Sequence, residues 1–414
     1  MSRIVSLHHE RTGELMTDIL FARWQMGVSL GFHIVFAAVG IAMPALMVMA
    51  EIAWRRTGDR VWLDIARRWA KGTAVFFAVG AVSGTVLSFE LGLLFPGFME
   101  QAGPIVGLPF SLEGFAFFTE AIFLGLYLYG WDRLRPALHV FAGVMVAISG
   151  AASAVFVTFV NAWMNAPRGY ELVDGNIVAI DPYAALSTPF ALHEIPHTLL
   201  AAYLTTSLAV AGIHAWGLRR SPGNAFHAKA LRLAILMTIP CALLQPVIGH
   251  FAGQQVATYQ PLKFAAIEGL ERTQAGAPIK IGPIEIPGML SWLATGDPDA
   301  VVIGLDQFPE ADHPPSIVQV SFRVMVALGG AMVLYALVAL WRRVRRRSWT
   351  EGRWWLRAAI ALAPTGVIAM EAGWIVTEVG RQPWTVYGVL RTSDAATPLG
   401  MMWIPFAAFT GIYL

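Results

Sequence analysis

Ionisable side chains lie inside long apolar stretches of this sequence, where groups of their type can do chemistry. They comprise five carboxylates and two histidines: Glu90, Glu113, Glu120, Glu371, Glu378, His33 and His197. An ionisable side chain within a lipid bilayer is costly and by default marks a functional site. Carboxylates exchange protons, and neutral imidazoles ligate metal ions. We therefore expect proton transfer and metal ligation within a membrane.

Spacing adds detail to two of the carboxylate sets. Glu113 and Glu120 are seven residues apart, which is two helical turns, so both face the same way. Glu371, Trp374 and Glu378 form a second stripe by the same rule. One reading is a proton relay, in which carboxylates exchange protons along one helix face. The other is a pair of neutral, hydrogen-bonded core acids.

Histidine and methionine supply a weaker signal. His33 and His197 lie well inside apolar stretches, and Met325 opens another. A single buried histidine is more often a hydrogen-bonded core residue than a ligand, and most of the 16 methionines fill packing gaps. Histidine with methionine is nevertheless an axial pair for a low-spin haem. The residues alone do not decide whether these side chains pack the core or ligate a haem.

The composition places these residues in a membrane protein. Of the 414 residues 56% are hydrophobic and 14% are charged, whereas soluble domains usually carry about 25% charged residues. These values exclude a soluble enzyme, a disordered chain and a nucleic-acid binder, and a net charge of +2 offers no polyanion partner. A single cysteine, Cys241, excludes a disulfide framework and thiolate metal sites. We predict an all-α polytopic membrane protein.

About nine transmembrane helices are expected from stretches of about 20 apolar residues. They cover approximately 21–51, 72–95, 108–130, 137–163, 190–217, 230–251, 319–341 and 356–379, and a ninth, from Leu399, is incomplete at Leu414. The first 20 residues lack an apolar signal-peptide core, so the first helix is expected to be an uncleaved anchor.

The loops set the orientation and the division of the chain. Most of the 29 Lys and Arg residues fall in the connections after the first, third, fifth and seventh helices, so those connections lie inside and the N-terminus outside. Residues 252–318 then form one long outer loop, and loops of that length are usually functional or disordered. We divide the chain into helices 1–6 (1–251), an outer loop (252–318) and helices 7–9 (319–414).

The motif Gly380-Arg381-Gln382-Pro383-Trp384 resembles the GRQPW signature of subunit I of the cytochrome bd-type quinol oxidases. Further similar motifs run from the first helix to the eighth: Leu112-Glu113-Gly114, Gly130-Trp131-Asp132-Arg133, Asn161-Ala162-Trp163-Met164-Asn165, His197-Thr198, Lys263 through Glu268, and Ser321 through Met325. The family is a bacterial membrane oxidase that takes electrons from quinol and reduces dioxygen to water.

The resemblance implies haem ligands for individual residues. The family's subunit I holds a low-spin haem b, a high-spin haem b and usually a haem d. By resemblance His197 and Met325 ligate the low-spin haem b iron. His33 ligates one high-spin haem and Glu378 the other, with Glu113 close to that pair. The resemblance favours haem d on His33 and haem b on Glu378, and it also places Trp374 among the cofactor-binding residues.

The length of the outer loop affects the prediction of which type the third haem is. With Gly249-His250-Phe251 it resembles the cyanide-insensitive branch of the family, whose members do not always carry haem d. The expected cofactors are therefore two haems b and a third that is haem d or a further haem b.

Lys263 and Glu268, in the outer loop, resemble the family's quinol-binding motif. A carboxylate can accept a quinol proton, and a lysine can donate a hydrogen bond to a quinone oxygen. A surface salt bridge is the alternative for this pair. Arg381 and Arg323 could offset haem propionate charge, and the alternative for both is a snorkelling interfacial arginine. Glu120 would carry protons from the inside, so that charge separates without a pump, and with Glu113 and Arg381 it completes the expected catalytic set.

The expected partners follow from the same resemblance. They are subunit II of the oxidase, a small single-helix subunit, membrane lipid, ubiquinol or menaquinol, and dioxygen, with no nucleic acid. The expected location is the bacterial cytoplasmic (inner) membrane, with the N-terminus on the periplasmic side. Two other functions are considered: a quinol-linked cytochrome b that only relays electrons, and a secondary transporter, which would show internal repeats that this sequence lacks.

Overall fold

The computed structural model describes residues 2–282, 284–397 and 399–413, with side chains from Thr17 onward except at Ile281. The helices in chain order are α1 (Ser2–Thr57), α2 (Arg60–Leu94), α3 (Pro96–Tyr129), α4 (Pro136–Asn165), α5 (Pro182–Leu186), α6 (Ala191–Arg220), α7 (Ala225–Tyr259), α8 (Pro261–Glu268), α9 (Met289–Thr295), α10 (Ile317–Val344), α11 (Arg353–Leu362), α12 (Thr365–Val379), α13 (Thr392–Ala395) and α14 (Trp403–Tyr413). This architecture confirms the prediction of a helical membrane protein.

Eight helical segments in the described part of the chain are long and apolar enough to cross a membrane. They correspond to the eight complete predicted spans. The last of them is divided into α11 and α12, because Pro364 has no N–H and cannot continue the first helix. Where a ninth span was predicted, α14 covers 11 described residues, Trp403–Tyr413.

Local sequence signals explain several helix ends at the connections predicted to lie inside. The Asp59 carboxylate caps α2 by accepting from the Val61 N–H, and Asn224 caps α7 through the N–H groups of Phe226 and His227. Helix α4 begins at Pro136, a residue suited to the first helical turn. These short connections make the flanking helices antiparallel neighbours.

The segment predicted as a long outer loop is largely structured. Helix α7 runs on to Tyr259, eight residues past the predicted end at 251. Helices α8 and α9 follow, and Phe264, Leu290 and Val318 belong to a small hydrophobic core of this segment. Within the described residues, the strands form four two-stranded antiparallel sheets: β1 (Glu171–Val173) with β2 (Asn176–Val178), β3 (Gln274–Ala275) with β6 (Val301–Val302), β4 (Ile279–Ile281) with β5 (Ile284–Ile286), and β7 (Trp384–Val386) with β8 (Leu390–Arg391).

Helix α4 lies where the candidate site can be built, since it packs against α1, α3 and α6. The largest hydrophobic core joins α1, α6, α7, α10 and α11, and small residues such as Ala211 and Ala234 let these helices approach closely. Large apolar side chains such as Phe115 point outward from α3, as expected of a surface that meets lipid or another subunit.

Candidate functional site

An ion pair between a buried arginine and a partly exposed glutamate forms the centre of the site. Glu378, in the last turn of α12, accepts a hydrogen bond of 2.7 Å from Nη2 of Arg381, three residues later. The amide of Asn161 on α4 donates to the other oxygen of Glu378. The Arg381 side chain is only 2% exposed, and its Nε and Nη1 donors are buried without a protein acceptor among the described residues. The guanidinium thus holds Glu378 and keeps two donors for another acceptor.

Lys263 joins this ion pair from α8. Its Nζ donates to Oδ1 of Asn165 at 2.8 Å and to the Thr377 carbonyl at 3.2 Å, and the residue is 3% exposed. A Cβ on Gly380 would lie 3.2 Å from Cε of Lys263, so the glycine of the GRQPW motif permits this close approach. Burial lowers the pKa of Lys263, and the charge of Arg381 lowers it further, whereas Glu194 and Glu378 oppose both effects.

Two members of this buried cluster were not found from the sequence. The Glu194 carboxylate, in the first turn of α6, accepts from the Asn165 amide at 3.3 Å. Gln260 donates to the Asn165 carbonyl at 2.6 Å. The available signal was the acidic residue inside HEIPHT at the start of an apolar stretch. With Glu194 the cluster places two carboxylates against two cations.

Helix α4 also faces the two carboxylates of α3. The Ser153 hydroxyl donates to Glu113 at 3.2 Å, and a Cβ on Gly150 would lie 3.3 Å from the Glu120 carboxylate. Glu113 and Glu120 therefore share a face, as their spacing predicted. Glu120 is 5% exposed and has no hydrogen-bond partner among the residues described.

His197 and Met325 each lie against a glycine of a neighbouring helix. A Cβ on Gly249 of α7 would approach Cε1 of His197 to 3.4 Å, and one on Gly373 of α12 would approach the Met325 sulfur to 3.1 Å. The Nδ1 atom of His197 is buried and has no partner in the described part of the chain. An imidazole and a thioether with glycines beside them fit the ligand set of a low-spin haem.

His33 is oriented by α2. Its Nδ1 lies 2.9 Å from the hydroxyl of buried Ser83, and a Cβ on Gly84 would lie 3.1 Å from its Cε1. A hydrogen bond on one ring nitrogen fixes the ring and leaves the other free to bind iron. On α12, an oxygen of Glu371 lies 3.4 Å from where a Cβ of Gly31 would be, two residues before His33. Trp374, half-buried on the same helix, lies between Glu371 and Glu378 in sequence.

Glu268 and Arg323 form a separate group at the end of α8. Burial raises the pKa of half-buried Glu268 to about 7, and the charge of Arg323 on α10 opposes the rise. Lys263 and Glu268 are five positions apart in the sequence, and among the described residues the two form no ion pair. In the structure, therefore, Lys263 lies near Glu378 rather than paired with Glu268, and Arg323 lies near Glu268.

Replacing Lys263 by methionine is expected to destabilise the protein by roughly 1–3 kcal/mol, because the buried Asn165 amide oxygen and the Thr377 carbonyl lose the ammonium that donates to them. Thermal unfolding of the purified complex would measure the loss. The matched control is Lys280→Met, since Lys280 is exposed and pairs with Glu285 at 3.1 Å. Surface pairs of that kind contribute about 0–1 kcal/mol. Equal midpoints for the two variants would contradict a structural role for the buried ammonium.

The fold and the site define an integral membrane protein with ionisable groups buried among its helices. The family model for cytochrome bd terminal oxidase subunit I matches residues 21–414. The chain is 37% identical to the putative cytochrome bd menaquinol oxidase subunit I of Bacillus subtilis, over 96% of this chain and 94% of the relative. It is 29% identical to the cytochrome bd ubiquinol oxidase subunit 1 of the same organism, over 96% and 91%. The bd oxidase structure from Geobacillus thermodenitrificans matches with a TM-score of 0.90 and 37% identity, covering 96% of this chain and 94% of that chain.

The chain belongs to the cytochrome bd terminal oxidase subunit I family. It is subunit I of a cytochrome bd-type quinol oxidase, a terminal oxidase that works with a subunit II. The family implies haem cofactors and quinol as substrate. This assignment confirms the resemblance and replaces both the electron-relaying cytochrome b and the secondary transporter as the function of the chain.

Proposed function

We propose that His197 and Met325 hold a low-spin haem b, and that His33 and Glu378 each hold a high-spin haem. One of these is haem b and the other is haem d or a third haem b, with haem d favoured on His33. The observation that carries the proposal is the buried Arg381 guanidinium, which pairs with Glu378 and retains two donors that have no acceptor among the described residues. A protein with no cofactor at this position would have little reason to bury them.

The residues fit haem in their chemistry as well as in their burial. The free donors of Arg381 suit a propionate, because guanidinium pairs with carboxylates. Trp374 adds an aromatic wall on α12, and Arg323 adds positive charge beside α8. When bound, the haems supply the one-electron chemistry and the iron on which dioxygen is reduced. The chain itself positions the iron ligands, excludes water and moves protons.

Quinol is oxidised beside α8, where Glu268 accepts its proton. A carboxyl with a pKa near 7 is matched to this task at neutral pH. Lys263, buried near the start of the same helix, completes the site through its positive charge. The relative with 37% identity is named for menaquinol and the one with 29% for ubiquinol, which favours menaquinol here.

The pH dependence of kcat/KM on the acid side tests the role of Glu268 as proton acceptor. Because its pKa is raised to about 7, the carboxyl is protonated below that pH and cannot accept a proton. We therefore expect kcat/KM for quinol to rise through pH 7, and Glu268→Gln to lower it by about 10²-fold and abolish the rise. Arg323→Gln should move the rise to higher pH, because the arginine holds the pKa down.

The matched control for Arg323→Gln is Arg272→Gln, an exposed arginine of the same outer segment. Its pH profile should coincide with that of the wild type. An unchanged acid limb in Glu268→Gln would assign the proton acceptor to another residue.

Protons for water enter from the side opposite the quinol site, through Glu120 and then Glu113. The connections that follow the first, third, fifth and seventh spans carry most of the basic residues, which favours the cytoplasm as that side. The N-terminus then lies on the periplasmic side of the inner membrane. Taking up protons on one side and releasing them on the other separates charge without proton pumping. Subunit II and a small single-helix subunit cover the exposed apolar helix faces in the lipid.

The decisive experiment is a reduced-minus-oxidised spectrum of the purified complex with a pyridine haemochrome assay and chemical haem extraction. The expected result is three haems per subunit I, with quinol-dependent oxygen uptake. A complex without haem would overturn the proposal, and a protohaem-only extract would assign the third haem as haem b.

A further inference from the structure

A second buried ionisable cluster lies at the opposite end of the helices from Glu378. It joins Glu51 near the end of α1, His139 in the first turn of α4 and Tyr127 near the end of α3. The side chains of Glu51 and His139 are fully buried. These three helix ends meet at the connections that carry most of the basic residues. None of its three residues belongs to the proposed haem sites, the quinol site or the Glu120–Glu113 path.

Hydrogen-bond geometry requires a proton between Glu51 and His139. The Nε2 atom of His139 is 3.0 Å from the Tyr127 carbonyl, which can only accept, so Nε2 carries a hydrogen. The Nδ1 atom is 2.9 Å from Oε1 of Glu51. Two lone pairs do not face each other at that distance. Either an imidazolium donates to a carboxylate, or a protonated Glu51 donates to the ring, so the pair stores one proton.

Arg55 stabilises the state that remains after this proton leaves. Its Nε and Nη2 atoms donate to Oε1 of Glu51 at 2.8 and 2.5 Å, so the deprotonated carboxylate keeps a cationic partner. Arg55 is partly exposed, whereas Glu51 is fully buried. The cluster therefore connects the surface on that side with a buried proton carrier.

Tyr127 extends the cluster toward Glu120. The two residues are seven apart on α3 and share a face with Glu113. The Tyr127 ring lies 4.5 Å from the His139 ring, and a Cβ on Gly143 would lie 2.7 Å from it. Gly143 is one turn further along α4 in the direction of Gly150, which touches Glu120. Gly143 and Gly150 thus make room for the side chains of Tyr127 and Glu120 along one side of α4.

Buried polar atoms with unused hydrogen-bonding capacity lie on the same side of the helices. The Tyr127 hydroxyl and the Oε2 atom of Glu51 are both buried, the hydroxyl interacts with the Glu51 carboxylate, and neither atom has any other partner among the described residues. Buried polar groups of this kind are uncommon in a cluster that serves only to fasten helices. A phenol can accept a proton on one side and donate one on the other.

We propose that the Glu51–His139 pair loads the protons that Glu120 delivers for water formation, with Tyr127 as the link. The inference rests on the proposed role of Glu120. Each transfer moves one proton outward along α3 and leaves a Glu51 carboxylate bound to Arg55 opposite a neutral His139, a transient state whose facing lone pairs favour rapid uptake of the next proton. One proton taken up past Arg55 from the inner aqueous phase restores the pair.

Two variants test this in the purified complex, Tyr127→Phe and Glu51→Gln. Tyr127→Phe removes only the hydroxyl beside Glu51 and keeps the ring, so folding and haem content should not change. In a single turnover of the reduced complex with dioxygen, followed with a pH-indicator dye, we expect both variants to slow proton uptake about tenfold or more. The solvent isotope effect on turnover should rise, which a purely structural role would not produce.

Tyr335→Phe is the matched control, since Tyr335 on α10 has a buried hydroxyl with no partner in the described part of the chain and its ring stacks on Trp355 with a centroid distance of 4.3 Å. Its proton uptake should equal that of the wild type. Normal uptake in Tyr127→Phe and Glu51→Gln, together with slow uptake in Glu120→Gln, would overturn the loading role and leave the Glu120 path intact. Normal uptake in all three would overturn the path itself. Haem loss in Glu51→Gln with normal uptake in Tyr127→Phe would assign the cluster to packing.

Discussion

Replacing His197 by alanine is expected to remove the low-spin haem b signal from the reduced-minus-oxidised spectrum and to lower quinol-dependent oxygen uptake more than 100-fold. The expectation follows from the unpartnered Nδ1 of His197 and from the glycine beside its ring. Even residues that only orient an iron ligand usually cost about 10–100-fold when changed, so the ligand itself should cost more. The haems assigned to His33 and Glu378 should keep their absorbance.

Met325→Leu provides the second half of this test. Leucine keeps the volume of methionine but has no sulfur, so packing against Gly373 survives while the proposed iron ligand is removed. If Met325 holds the haem as proposed, the low-spin signal should be lost or shifted. Met332, one heptad further along α10 and 2% exposed, supplies the matched control, because Met332→Leu changes packing alone. If the Met325→Leu spectrum matches that of Met332→Leu, Met325 is not the ligand.

The sequence was sufficient for features that depend on local periodicity. The eight complete spans follow from runs of apolar residues, and the common face of Glu113 and Glu120 follows from a seven-residue spacing. Both signals lie within one helix, where the geometry is regular. The stripe of α4 that contacts carboxylates is regular too: Gly150 and Ser153 lie against Glu120 and Glu113, and Asn161 and Asn165 donate to Glu378 and Glu194. The residue types of this stripe do not by themselves predict those contacts.

Contacts between distant parts of the chain could not be read in the same way. Asn165 contacts Glu194, Gln260 and Lys263 only because α4, α6 and α8 meet in space. Lys263 looked like a loop residue next to Glu268, whereas its side chain is buried against Gly380. Pairing across helices depends on helix rotation and depth, which a single sequence does not encode locally.

The pairing of Glu51 with His139 illustrates the same limit. In the sequence Glu51 stands at the end of an apolar stretch, next to a basic connection, where an acid is ordinary. His139 stands near the same surface in another span. Only the packing of α1 against α4 buries both completely and brings their polar atoms to 2.9 Å.

Glu120→Gln is expected to lower steady-state oxygen uptake by about 10²-fold, because an amide has the size of the carboxyl group but cannot take up and release a proton. Glu120 has no hydrogen-bond partner among the described residues, so the substitution breaks no bond that holds the fold. Haem reduction by quinol before any proton uptake should therefore keep its wild-type rate. Stopped-flow reduction and single-turnover oxidation would separate the two steps.

Glu120→Asp distinguishes the chemistry of the carboxyl group from its position. Aspartate keeps an exchangeable proton but shortens the side chain that reaches Gly150 on α4. If proton transfer is the role, Glu120→Asp should recover part of the lost turnover and Glu120→Gln none. Equal activities in the two variants would show that volume rather than protonation matters at this position. Wild-type turnover in Glu120→Gln would remove Glu120 from the path, and the carboxylate pair of α3 would then be core acids held neutral against α4.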